Sequence, residues 1–200
     1  MARHARIEPS LTEWAVLGLL CEGPTHGWSL VRSLRSDGQI GRVWATSRPL
    51  VYRAISLLQA RGYIQEKGSQ SSSLGPARTL LAATPSGRRA LRRWLVKPAE
   101  HVRDVRSELM LKLLLLDRRN QDPRPLLQAQ RGLLEPRVRA LAADVRHAVG
   151  FDRTLALWRL SNARATLRFL ETLDAGTAHP NGSAGGTPTR STPRSAKGQT

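Results

Sequence analysis

The segment from Ser47 to Ile64 constrains the fold of this chain most, because it combines a helix start, two contrasting faces and a sharp stop. Ser47 occupies a capping position, and Pro49 falls in the first turn, where a missing N–H does no harm. Residues at helical spacing predict one apolar face, made of Leu50, Val51, Ala54, Ile55, Leu57 and Leu58. Polar residues fall mainly elsewhere, namely Arg48, Tyr52, Arg53, Ser56, Gln59 and Arg61. Gly62 ends the helix, and the pattern is typical of a helix that reads DNA.

The flanking sequence predicts the elements around this helix. Ser10 and Glu13 have the spacing of a capping box, and an apolar run follows them until Gly23 and Pro24 stop the helix. A second short helix is expected over residues 28–36. A hairpin is then expected from strands at 63–68 and 78–84, joined by a Ser-rich turn. Three helices followed by a hairpin is the order of a winged helix.

At this point the sequence closely resembles the PadR family of bacterial transcriptional regulators. The matching stretches are Leu17-Gly18-Leu19-Leu20, Gly23-Pro24-Thr25-His26-Gly27-Trp28, Leu50-Val51-Tyr52-Arg53-Ala54-Ile55 with Leu58 and Gly62, Thr84-Pro85-Ser86-Gly87-Arg88-Arg89-Ala90-Leu91 with Trp94-Leu95, and Arg106 to Leu114. The likeness covers about residues 10 to 174 and is carried by the order and spacing of these pieces. It implies a DNA-binding winged helix followed by a longer helical region that forms a dimer.

Charge points to an anionic partner. The chain carries 32 Lys and Arg against 15 Asp and Glu, a net charge of +17, with an excess of 10 cations in residues 1–98 alone. A basic surface also suits acidic lipid or RNA. However, no apolar run is long enough to cross a bilayer, and the start of the chain lacks a signal-peptide pattern. We therefore expect a cytoplasmic protein.

Residues that carry chemistry are sparse. The single Cys21 excludes an internal disulfide and a multi-Cys zinc site, and we expect it to be a small core residue. The five histidines are scattered, so we place no metal and expect no cofactor. No Gly-rich phosphate loop follows a strand, and no catalytic Ser, His and carboxylate set is proposed by spacing. These absences argue against an enzyme.

The second half of the chain reads as helices. A helix rich in Arg is expected over 86–97, with Trp94 and Leu95 inward, and 107–116 is apolar on nearly every side. A long helix then starts at Pro123 and Pro125 and is kinked at Pro136, and a last helix runs over 152–173. Apolar stripes on these two helices predict a dimer seam, made of Leu134, Val138, Leu141, Val145, Leu160, Leu167 and Leu170. The alternative is a monomeric bundle that packs against the winged helix.

The fold is thus expected to be mainly α with a small β wing, in four parts. Residues 1–9 form a flexible N-terminus, 10–98 the winged-helix DNA-binding domain and 99–174 the helical dimerisation domain. Residues 175–200 are rich in Gly, Ser, Thr and Pro without apolar periodicity, which predicts a disordered tail.

The candidate DNA-binding residues are Ser47, Arg48, Tyr52, Arg53, Arg61, Lys67 and Arg78. Arg48 and Arg53 are placed to reach guanine edges or phosphates. Tyr52 matches a family position for which the resemblance implies a DNA contact, although packing on the first helix is also consistent. Arg61 and Lys67 flank the wing as backbone contacts or as plain surface charges. Many family members have basic residues after the wing tip, whereas here a Ser-rich segment precedes Arg78. This difference weakens the expectation that the wing recognises the DNA sequence.

The expected function is that of a homodimeric, sequence-specific DNA-binding regulator, which acts as a repressor on a pseudo-palindromic operator in double-stranded DNA. In the resemblance, some members bind aromatic or drug-like effectors between the two regions, and Trp14, Trp94 and Trp158 are candidates to line such a space. His26, Gly27 and Trp28 match a family element in which we expect Gly27 to allow a turn and Trp28 to fill the core. The alternative function is a winged helix that binds only another protein.

Overall fold

The computed structural model describes residues 8–72 and 75–177, with side chains described for all of these except 69–72, 75–78 and 177. Its first three helices are α1 (Leu11–Glu22), α2 (Gly27–Leu34) and α3 (Arg48–Ala60). The predicted capping box starts α1: the backbone N–H of Glu13 donates to Ser10 Oγ at 3.3 Å, and that of Ser10 donates to Glu13 Oε1 at 3.1 Å. The start of α1 read from the sequence is therefore confirmed.

A three-stranded antiparallel sheet forms the wing and its base. The strands are β1 (Thr25–His26), β2 (Ile64–Ser72) and β3 (Gly75–Ala83), in the spatial order β1-β3-β2. Both hairpin strands are longer than the sequence predicted, because the Ser-rich segment pairs across the hairpin instead of forming a wide turn. The register shifts after Glu66, where Gly68 adopts a φ of +130° that favours glycine.

Four more helices, or helical segments, complete the described chain. They are α4 (Pro85–Val96), α5 (Met110–Asp117), α6 (Arg124–His147) and α7 (Gly150–Thr177). A 3-10 turn at Val102–Asp104 and a π-helical segment at Val105–Leu109 lead into α5. Pro136 lies inside α6, which continues through it. The predicted fold class, mainly helical with a small β wing, is confirmed.

One hydrophobic core runs through both halves of the chain. Helix α5 packs closely on α1 at Gly18, where an added Cβ would lie 2.6 Å from Leu115 Cδ2. The buried Gln130 of α6 binds the backbone of Ala99, accepting from its N–H at 2.7 Å and donating to its carbonyl at 3.0 Å. The winged helix and the helices that follow it therefore share packed side chains and satisfied polar groups.

The predictions for the two ends of the chain fall mostly on residues that the structure does not describe. The predicted tail falls almost wholly on residues 178–200, outside the described residues, and α7 continues past its expected end to Thr177. Residues 1–7 of the predicted flexible start are likewise not described. Within the described ranges, no helix is both long enough and apolar enough to span a lipid bilayer.

Candidate nucleic-acid interface

Helix α3 is divided into a buried face and an exposed polar face. Val51, Ala54, Ile55 and Leu58 are buried against the core, as the sequence predicted. Leu50 and Leu57 depart from the prediction, since they are 48% and 38% exposed. These two side chains lie at the edge of the helix that faces the start of α1, together with Arg53, in a shallow groove. The apolar stripe read from the sequence is thus broader than the face that the core covers.

Tyr52 packs on the first turn of α2. An added Cβ on Gly27 would lie 3.0 Å from Tyr52 Cε1, so the absence of a side chain at Gly27 lets the ring approach the backbone. The guanidinium of Arg48 lies 5.6 Å from the centre of the Tyr52 ring, a cation–π contact on the exposed side. Tyr52 remains 41% exposed. It is therefore both packed against the neighbouring helix and accessible.

The other predicted contacts on or near α3 differ in their surroundings. Arg53 and Lys67 are exposed and have no ion pair or hydrogen bond with any described residue. Ser47 is the residue before the first turn of α3, but its side chain does not make the expected capping hydrogen bond. Arg78 pairs with Gln70 in the hairpin register, and its side chain lies outside the part that the structure describes.

Arg61 does not present its charge as the sequence suggested. Its Nε donates to Glu13 Oε2 at 3.1 Å, and the Glu13 side chain is only 5% exposed. A nearly buried carboxylate needs a charged or hydrogen-bonded partner, and Arg61 supplies it. We therefore assign Arg61 to the connection between α3 and α1 rather than to a free binding surface.

The turn after α3 is anchored by residues that sequence reasoning did not single out. Thr84 Oγ1 and Ser86 Oγ donate to the carbonyl of Gly62 at 2.7 and 2.8 Å. Gly62 itself adopts a φ of +68°, which favours glycine. The start of α4 thereby fixes the point where α3 ends and the wing begins. The sequence signal that could have indicated this role is the pair of hydroxyl side chains, Thr84 and Ser86, at the start of a predicted helix.

The three tryptophans expected to line one space do not do so. Trp14 and Trp94 stack with ring centres 4.9 Å apart, beside a cleft of about 330 Å³ that Tyr63, Arg93 and Lys97 also line. Trp158 is 63% exposed on α7 and does not line that cleft. Trp28, expected in the core, is 45% exposed beneath the Arg32 guanidinium. A separate, mostly apolar cleft of about 380 Å³ is lined by Val43, Leu113, Leu127, Phe169 and Leu173, among others.

The predicted dimer seam is largely covered within one chain. Leu134, Leu160 and Leu170 are buried where α6 and α7 pack on each other. Val138, Leu141, Val145 and Leu167 of the same stripes are half-buried. The side chains that remain open to solvent in this region are different ones: Val149, Phe151, Leu157, Trp158 and Phe169. The three buried leucines therefore serve the contact between α6 and α7, while the half-buried and exposed side chains remain accessible.

The titratable side chains of the described ranges form no cluster of three or more His, Cys, Asp or Glu that could hold a metal ion. Cys21 is buried, and burial raises the pKa of its thiol despite the nearby Arg119 and Arg88. A thiol in this state is mostly protonated at neutral pH and a poor nucleophile. This agrees with the core position expected from the sequence.

Comparisons with known proteins agree with the winged-helix features. Residues 16–93 match the model of the transcriptional regulator PadR-like family. A probable transcriptional regulator of Mycobacterium tuberculosis is 27% identical over 96 residues, which are 48% of this chain and 49% of that protein. The match thus spans about half the length of that curated relative. The resemblance read from the sequence is confirmed.

Solved structures give weaker matches over more of the chain. The PadR protein of Bacillus subtilis in complex with operator DNA is 20% identical, with a TM-score of 0.43 over 84% of this chain and 99% of that one. A PadR-like transcriptional regulator of Bacillus cereus is 17% identical, with a TM-score of 0.35 over 84% of this chain and 98% of that one.

Proposed function

We propose that this chain, whose residues 16–93 match the PadR-like family of transcriptional regulators, is a member of that family and binds specific double-stranded DNA as a homodimer. Helix α3 of each subunit would lie in a major groove of the operator. The observation that carries the proposal is the exposed polar face of α3, where Arg53 has no ion-pair partner among the described residues and Arg48 lies over Tyr52. Cations left unpaired on a helix of this motif are suited to guanine edges and phosphates.

The first two turns of α3 carry the reading side chains. Arg48 and Arg53 project from the N-terminal part of the helix, which is the part that contacts base edges in helix-turn-helix proteins. Tyr52, held by Gly27, would contact a phosphate or a base. Ser47 before the first turn of α3 and Lys67 on β2 would contact the DNA backbone, and Arg78 on β3 belongs to the wing.

A homodimer is supported by large apolar side chains of α7 that are exposed to solvent. Phe151 is 78% exposed and Trp158 is 63% exposed, on a chain whose other large apolar residues are mostly covered. Exposed aromatic side chains of this size favour burial against a partner. Two linked winged helices would hold two half-sites about one helical turn apart, which matches a pseudo-palindromic operator.

Regulation is proposed to be ligand-responsive repression in the cytoplasm, with residues 10–98 reading DNA and 99–174 forming the dimer. A dimer bound across an operator blocks access to that DNA. The apolar cleft between the α2–α3 loop, α5 and α7 has the size of a small aromatic molecule. An occupant there would contact both regions and alter their relative position.

A second candidate function rests on one specific observation. Leu50 and Leu57 are exposed on α3 on either side of Arg53, and a protein partner would cover such apolar side chains. A winged helix used only for protein binding would, however, gain nothing from the unpaired cations beside them. DNA binding is therefore the function that the residues of α3 support best.

The proposal is tested by selecting bound sequences from a random DNA pool and titrating the selected operator by fluorescence anisotropy. Arg53→Ala is expected to weaken operator binding by about 1–3 kcal/mol without changing the fold. Arg159→Ala is the matched control, because it removes an exposed, unpaired arginine from α7. If no sequence is enriched, or if both variants lose the same affinity, the proposed reading by α3 is wrong.

A further inference from the structure

Helix α4 carries four arginines in six residues and no acidic residue. They are Arg88, Arg89, Arg92 and Arg93. The opposite face of the helix is buried in the core through Leu91, Trp94 and Leu95, among others. Arg89, Arg92 and Arg93 are exposed, so their charge is concentrated on one half of a short helix.

Among the residues that the structure describes, no carboxylate pairs with this Arg face. Arg88 donates to the carbonyl of Cys21 at 2.8 Å, and the other three form no ion pair or hydrogen bond with any described residue. The carboxylates around them are committed elsewhere: Glu8 to Lys97, Glu13 to Arg61 and Glu22 to Arg118. Residues 1–7 and 178–200 contain no Asp or Glu. Neither terminal segment therefore brings an acidic side chain to the Arg face.

The arrangement is unfavourable for the helix by itself. Arg88 and Arg92 are four residues apart, as are Arg89 and Arg93, and like charges at this spacing repel on a helix surface. The first turn of α4 also lacks an acidic residue, although the N-terminal end of a helix favours negative charge. An external polyanion would relieve both effects.

We propose that the Arg face of α4 binds the phosphate backbone of DNA at a surface separate from α3. Both helices pack on α1, and each exposes arginines of its own. The identification of the polyanion as DNA rests on the proposed function. A second copy of this chain is a poor occupant, because most of its carboxylates already form ion pairs and the rest are scattered: Glu66, Asp117, Asp144, Asp152 and Glu171.

The phosphates that meet α4 come from one of two sources. They belong to DNA that flanks the operator and bends toward α4, or to a second duplex that the protein holds beside the first. Both present the same repeated anionic groups to arginines, whose fork geometry suits phosphate. The contact adds affinity that depends on salt and not on sequence.

The test uses the full chain and a triple variant, Arg89→Gln with Arg92→Gln and Arg93→Gln. A matched control removes the same charge from the exposed side of α7: Arg159→Gln, Arg164→Gln and Arg168→Gln. Affinity is measured against salt for an operator duplex with and without long flanks. Each lost phosphate contact reduces the slope of log K against log salt by about 0.9. The α4 variant should therefore lose about 2–3 units of slope on the flanked duplex and none on the short one.

A second arm detects a second duplex. A labelled, nonspecific duplex is added to the complex with the short operator, and its capture is measured by co-precipitation. If flanking DNA is the source, wild type and the α4 variant differ in affinity and salt slope on the flanked duplex only. If a second duplex is the source, wild type captures the labelled duplex and the α4 variant does not. A triple replacement of the same arginines by Lys keeps the charge and should restore binding in the arm that responds.

Two results would overturn the inference. One is that the α4 variant and wild type behave alike in both arms. The other is that the α7 control loses as much as the α4 variant, because the effect would then reflect net charge alone. Failure of the proposed function gives a different result, because wild type would then select no operator. Even in that case, loss of nonspecific duplex binding in the α4 variant would support the inference that the Arg face binds DNA phosphates.

Discussion

Replacement of the buried Lys112 should destabilise the junction between α4 and α5. Its side chain is 0% exposed, and Nζ donates to the carbonyl of Lys97 at 2.6 Å and to Glu108 Oε1 at 2.5 Å. The same ammonium lies 4.6 Å from the centre of the Trp94 ring. Two of these contacts, with Trp94 and with the carbonyl of Lys97, connect Lys112 to α4 and the residue that follows it, and the third pairs it with Glu108 of its own region.

The size of the effect follows from what Lys112→Ala leaves behind. Removing one partner of a buried ion pair costs about 3–5 kcal/mol, because the other charge stays unpaired. The Glu108 side chain is 23% exposed, so water partly replaces the lost partner, which favours the lower end of that range. A loss of about 3 kcal/mol lowers the unfolding midpoint of a chain of this size by about 6–12 °C.

Thermal and urea unfolding followed by circular dichroism measure this loss. Lys112→Met fills much of the same volume and separates the effect of the charge from that of the cavity. Lys97→Ala is the control, because its exposed side chain pairs only with Glu8 and Glu100 at the surface and should change stability by less than about 1 kcal/mol. A midpoint for Lys112→Ala equal to that of Lys97→Ala would refute the reasoning.

Three further predictions follow from the same contacts. Burial lowers the pKa of Lys112 below its ordinary value of 10.5. Between the folded pKa and 10.5 the unfolded state binds more protons than the folded state, so wild type should gain stability relative to Lys112→Met as pH rises through that range. Urea midpoints at a series of alkaline pH values check the sign. Gly27→Ala should displace the Tyr52 ring and weaken operator binding several-fold in an anisotropy titration, with little change in the unfolding midpoint. Phe151→Ser with Trp158→Ser should convert the proposed dimer to a monomer by light scattering, and a double variant that keeps the wild-type mass would place the interface elsewhere.

Local signals predicted the elements of the winged helix well. The capping box at Ser10, the stop at Gly23 and Pro24 and the start at Pro49 each act within a few residues, so they are readable without the fold. Strand β1 was missed because two residues carry no pattern, and only pairing with β3 defines them. The added length of β2 and β3 likewise comes from cross-strand pairing.

Side-chain surroundings were less predictable, because they depend on distant parts of the chain. The α6 and α7 stripes predicted a dimer seam, but periodicity does not say whether the helix that covers a stripe belongs to the same chain. Arg61 looked like a free cation until the fold brought Glu13 beside it, 48 positions away. Lys112 lies in a segment that the sequence shows as apolar on nearly every side, and only the structure shows how its charge is satisfied.

The central claim, that α3 lies in the major groove of an operator, is tested most directly by cleavage from a reagent tethered to α3. Ser56 is exposed on α3, and Ser56→Cys gives an attachment point, while the native Cys21 is buried. An iron chelate attached at Ser56→Cys should cut the selected operator in two clusters about one helical turn apart. The same reagent at Ser161→Cys, exposed on α7, should not give that pattern. Equal cleavage from both positions, or cleavage without two clusters, would contradict the account.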